Sequence, residues 1–111
     1  MEKEKAIKLA TEFIEKYDLD HGNSEVYIQD DNLYMVVEAP DHWTTLLSIP
    51  IDNVSEESII DSFIVRVNEL DVDEYFDELW GSVPEFTPSQ FIRMLQDDLK
   101  FYENVVDKII K

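Results

Sequence analysis

Apolar side chains recur along this chain with two periods, about 3.6 residues in some stretches and about two in others, and the switch between them marks its elements. Across residues 2–17, Ala6, Leu9, Ala10, Phe13, Ile14 and Tyr17 fall on one helical face. Lysine and glutamate fill the other face, with Glu4–Lys8 and Glu12–Lys16 spaced so that opposite charges meet along a helix. The polar stretch Asp18–Ser24, containing His21-Gly22-Asn23, stops that helix and turns the chain.

Alternation then takes over. Val26 and Ile28 are interleaved with Glu25, Tyr27 and Gln29. A tight polar turn at Asp30-Asp31-Asn32 follows, and Leu33, Met35 and Val37 resume the pattern against Tyr34, Val36 and Glu38. Ala39-Pro40-Asp41-His42 interrupts it before a third strand, Trp43–Ile49, which Pro50 ends. Connections this short predict an antiparallel meander.

Helical periodicity returns after Pro50. Ser55 is suited to an N-cap, and Glu56 and Glu57 favour the positive end of the helix that follows, with Ile59, Ile60, Phe63, Ile64, Val67 and Leu70 as its apolar stripe. Asp71 with Glu74 predicts a capping box for a short helix that turns Val72, Tyr75, Phe76, Leu79 and Trp80 inward and ends at Gly81 and Pro84. Thr87-Pro88-Ser89-Gln90 combines an N-cap, a proline at the first position and a glutamine at the third. It opens a long helix whose expected buried line is Phe91, Leu95, Leu99, Tyr102, Val106 and Ile109. The order α-β-β-β-α-α-α predicts one α+β domain over residues 1–111, a three-stranded antiparallel sheet packed by helices.

Charge changes the picture more than length does. The formal net charge is −17, and its placement is uneven. Residues 1–17 carry four acids and four lysines, and residues 86–111 carry four of each sign. Residues 18–85 hold eighteen acids against one base, Arg66, so the whole imbalance lies there. Solubility of a small domain usually takes a net charge of about 2–8 in magnitude. A larger charge destabilises the compact state by self-repulsion, repels nucleic acid and anionic membrane, and attracts basic surfaces. The expected partner is therefore a basic nucleic-acid-binding protein, with no direct nucleic-acid binding by this chain.

Catalytic chemistry finds little to stand on. Absence of cysteine removes disulfides, thiolate metal sites and cysteine nucleophiles. There is no glycine-rich phosphate loop, no Gly-x-Ser-x-Gly elbow and no His-Glu-x-x-His. His21 and His42 fall in predicted turns and read as surface residues. Asp18-Leu19-Asp20 opens like a calcium loop, but Gly22, Asn23 and Gln29 occupy positions that need a ligand, a glycine and a bidentate glutamate. No catalytic residue, metal ligand or cofactor is expected. The start lacks a secretory pattern and no apolar run reaches the roughly 20 residues of a bilayer span, so a cytoplasmic location is expected.

What remains is the acids. The densest run supplies Glu69, Asp71, Asp73, Glu74, Asp77 and Glu78, the hairpin supplies Asp30 and Asp31 with Glu38 and Asp41 nearby, and the first helix after the sheet supplies Glu56, Glu57 and Asp61. Same-face residues of a strand are spaced about 6.6 Å and helix neighbours four apart about 5–6 Å, close to the separation of successive phosphates. A folded polyanion of this kind competes for lysines and arginines that otherwise neutralise a nucleic acid. Tyr27, Tyr34 and Val36 would form a second sheet face, apolar unless a helix covers it.

In element order, size and the acidic runs Asp30-Asp31-Asn32 and Asp71–Glu78, the chain resembles small phage and mobile-element inhibitors of the anti-CRISPR, DNA-mimicking type. That resemblance implies a protein inhibitor of a CRISPR effector nuclease, and it assigns no role to single residues. Anti-restriction DNA mimics share the composition. Two other readings fit the acidity: an immunity protein that neutralises a basic nuclease toxin, and an acidic interaction or dimerisation module.

Overall fold

A computed structural model describes residues 2–79 and 85–111, so the predicted inward placement of Trp80 and the helix end at Gly81 and Pro84 lie outside the described residues. The elements are α1 (Lys3–Lys16), β1 (Glu25–Gln29), β2 (Asn32–Glu38), β3 (Thr44–Pro50), α2 (Glu56–Glu69), α3 (Val72–Leu79) and α4 (Pro88–Ile110), with a 3₁₀ turn at Ile51–Asn53. Their order is the α-β-β-β-α-α-α of an α+β fold, and the strands form one antiparallel sheet with β2 in the middle.

Register follows the hydrophobic alternation. Met35 faces Val26 on one side and Leu47 on the other, and Leu33 faces Ile28 and Ile49. Leu33, Met35 and Val37 are fully buried, as a central strand's inner face must be when helices cover it. Ala6, Ala10, Phe13 and Ile14 of α1, with Ile59, Phe63 and Val67 of α2, pack into the same core. Phe63 is its hub, edge-on to Phe13 at 5.5 Å and to Tyr102 of α4 at 6.1 Å.

The hairpin turn is shorter than expected. Asn32 already pairs with Gln29, leaving Asp30 and Asp31 as a two-residue loop with φ of 52° and 61°. Positive φ at both positions gives the turn a twist that suits the strands, and aspartate accepts this conformation better than most residues. Pro50 ends β3 inside the sheet, opposite Asn32, which an edge strand tolerates.

The caps form where the sequence places them, as reciprocal boxes at Ser55 and Thr87 and as the Asp71 half alone at α3. Ser55 accepts from the Ser58 N–H and Ser58 answers with its own hydroxyl, Asp71 accepts from the N–H groups of Asp73 and Glu74, and Thr87 and Gln90 bond reciprocally. One helix face differs. The buried line of α4 is Phe91, Leu95, Asp98, Tyr102 and Val105, whereas Leu99, Val106 and Ile109 lie half-buried beside it. A purely hydrophobic reading skips the charged member of that seam and drifts to the flank.

Candidate partner-binding surface

The sheet sorts the acids into two groups. Asp30 and Asp31 cap one end, where the Ile51 N–H donates to the Asp31 carbonyl and brings in the turn that leads to Glu56 and Glu57. Asp41 stands beyond the other end of β2, which at about 3.3 Å per residue is about 20 Å away. Helix α2 runs back along β3 and carries the chain to this second end, where Arg66 Nε donates to Thr45 Oγ1 at 2.7 Å. Glu69, Asp71, Asp73, Glu74, Asp77 and Glu78 therefore lie on the Asp41 side, with Asp61 partway between.

Four of these acids converge. Glu69, Asp71, Glu74 and Glu78 line a depression of about 150 Å³ together with Trp43, Arg66, Leu70 and Tyr75. Its aromatic wall is a stack of Trp43 on Tyr75, with centroids 4.6 Å apart. Burial, and then the Glu78 charge, push the Tyr75 phenol above its usual range. Asp73 and Asp77 share the exposed helix without lining the depression. Among the described residues, Arg66–Glu69 at 3.4 Å is the one ion pair that joins an arginine or lysine to a carboxylate. The other exposed candidate acids face solvent with no such partner.

Glu38 corrects the sequence reading. Strand alternation points it outward beside Tyr34 and Val36, yet it is fully buried and cannot meet a partner. The loop after α1 folds over it. Its carboxylate accepts from the backbone N–H groups of His21 (3.0 Å) and Asn23 (2.9 Å) and from the Asn23 amide at 2.7 Å, and it lies 2.7 Å from His42 Nδ1. Burial pushes this carboxyl up, but the hydrogen bonds from Asn23 and His42 outweigh it, and the net direction is below the usual range. The two histidines are accordingly more than surface residues: the His21 backbone and the His42 ring both enclose Glu38, and the His21 ring packs on Phe101.

A second buried carboxylate escaped sequence reading altogether. Asp98, 2% exposed, accepts from the N–H groups of Asp41 and Trp43, each at 2.9 Å. Burial raises its pKa against the opposing effect of those two bonds. The hydroxyl of Tyr102 donates to the Trp43 carbonyl, and burial raises that phenol's pKa strongly. Asp98 could have been found from sequence: it stands seven after Phe91, three after Leu95 and four before Tyr102, an acid on an apolar seam. The buried Trp43 Nε1 has no hydrogen-bond partner among the described residues.

The outer sheet face carries Tyr27 stacked on Tyr34 at 5.1 Å, half-buried Val36, and Leu46 at 45% exposure. No three His, Asp or Glu side chains among the described residues are grouped to hold a metal ion, and no described helix is long and apolar enough to cross a membrane. No protein-family model, curated protein or solved structure matches the chain.

Proposed function

We propose that this protein is an acidic inhibitor that sets carboxylates in place of phosphates and occupies the basic nucleic-acid groove of a partner, of the kind found in CRISPR effector nucleases. One observation carries the reading. Glu38 and Asp98 are buried and hydrogen-bonded, whereas the acids at the α2–α3 end stand exposed, four of them around an aromatic-walled depression with a single arginine among them, Asp71 also serving as the cap of α3. Uncompensated charge of this density costs stability through self-repulsion, and a basic partner recovers that cost.

The test is competition. A CRISPR effector's binding to labelled target DNA is measured with increasing amounts of this protein at low and moderate salt. Displacement that weakens steeply with salt, and that fails when Asp73, Glu74, Asp77 and Glu78 are changed to lysine, supports the decoy reading. Retention of DNA at saturating protein, across a panel of such effectors and basic nucleases, refutes it.

The outer sheet face supports a second reading as a self-associating module, because Tyr27, Tyr34, Val36 and Leu46 form a partly exposed apolar strip. Sedimentation equilibrium separates the two. A dimer that Leu46→Lys dissociates favours the module, and a monomer at all concentrations favours the decoy.

A further inference from the structure

Among the described residues strand β3 pairs with β2 alone, so its other side is a row of backbone donors and acceptors outside the ladder. Proteins commonly blunt such an edge with charge, yet Thr44–Pro50 holds no charged residue within a segment of eighteen acids and one base. The opposite edge, β1, is five residues long and begins with exposed Glu25. Beside the β3 edge runs a groove of about 320 Å³ lined by Leu46, Ser48, Asp61, Val65 and Glu69 among others. Leu46 and Val65 are 45% and 57% exposed, two of the most exposed large apolar side chains described.

The flanking helix has a pattern that matches a strand. Asp61, Val65 and Glu69 are four apart on α2 and all exposed, an acid–apolar–acid row with steps of about 6 Å. Alternate residues of an extended strand step by about 6.6 Å. A strand added to β3 would therefore present its first, third and fifth side chains to Asp61, Val65 and Glu69 in turn. The second and fourth would lie on the outer side, beside Leu46 and Ser48. Arg66 holds Glu69 at 3.4 Å, but an exposed pair of this kind is weak and yields to an incoming cation.

We propose that the β3 edge is a docking site for an extended protein segment with lysine or arginine at alternate ends of an apolar residue, in the pattern basic–x–apolar–x–basic, bound by strand addition. This goes beyond the decoy reading, which requires exposed charge alone and no backbone pairing. Either can fail without the other.

The probe is a capped heptapeptide, Thr-Lys-Thr-Val-Thr-Lys-Thr, titrated into the ¹⁵N-labelled protein and followed by NMR. Saturable shifts concentrated in the amides of Thr44–Ile49 and at Val65 are expected. The same peptide N-methylated at alternate residues, which blocks ladder bonds, should bind at least about tenfold more weakly, as should a Glu-for-Lys peptide. Protein carrying D61K and E69K should lose at least about tenfold, and Val65→Ser provides an independent check should that pair disturb the fold. Equal binding of the N-methylated peptide overturns the proposal, as do shifts centred on α3 or β1 or no saturable shift at all. An effector displaced from DNA while the peptide leaves β3 unmoved would remove the edge site and keep the decoy.

Discussion

The turn joining β2 to β3 and the helix α3 touch through the Trp43–Tyr75 stack, yet they use acidic residues in opposite ways. Around the turn, Glu38 and Asp98 are buried and accept six hydrogen bonds between them, three from the turn residues Asp41, His42 and Trp43, where His42 has φ 76°, and three from His21 and Asn23 of the α1–β1 loop. In α3 no residue is buried, and its acids lie in solvent. The fold costs a carboxylate its hydration at the first site and offsets it with aimed donors, more than fully at Glu38 and in part at Asp98. At the second it leaves hydration intact and accepts repulsion instead. Acidity here is thus two properties, a small buried structural set and a large exposed set that can meet a partner, with Asp71 belonging to both as the exposed cap of α3.

The largest effect should come from breaking the structural set. Asp98→Ala leaves the N–H groups of Asp41 and Trp43 without their acceptor, the latter in a buried bond, and should cost about 2–4 kcal/mol in urea unfolding. A midpoint that does not move would show that water replaces the carboxylate there.

Acid sharpens the contrast within that set. Glu38 has its folded pKa lowered, so its stabilisation is fully present above the usual carboxylate value and is lost as pH falls from there through its own lower folded value. Asp98 has its folded pKa raised, so the folded state holds the proton more tightly and its linked contribution grows as pH falls. Stability of the wild type relative to Glu38→Gln should therefore shrink on acidification, while stability relative to Asp98→Asn should grow. Parallel trends in the two variants would contradict the opposite shifts.

Next in size is the surface set. Changing Asp73, Glu74, Asp77 and Glu78 to lysine should leave the unfolding free energy within about 1 kcal/mol of wild type, because relief of self-repulsion offsets the lost attraction of Asp73 and Glu74 to the helix N-terminus. A loss as large as that of Asp98→Ala would mean that α3 is built on its acids. The smallest effect is expected at Leu46→Ser, within about 0.5 kcal/mol, since that side chain is 45% exposed.

Much of the architecture was legible along the chain. Ser55, Asp71 and Thr87 announce their helices because capping is a bond between neighbours three residues apart or fewer. Leu33, Met35 and Val37 announce the inner sheet face because side-chain direction alternates with every residue. The surface was legible in part. Glu69, Asp71, Glu74 and Glu78 do come together, since α2 and α3 follow each other closely, whereas Asp30, Asp31, Glu56 and Glu57 collect at the other end of the sheet.

Local pattern, then, determined which segments are helix and strand, which side of the sheet faces the core, and where the charge imbalance lies. Tertiary structure alone decided which acids are available. Glu38 is enclosed by residues 15 and 17 positions before it, and Asp98 by groups 55 and 57 positions before it. Whether a carboxylate is buried depends on donors arriving from elsewhere in the chain, because only they offset its lost hydration.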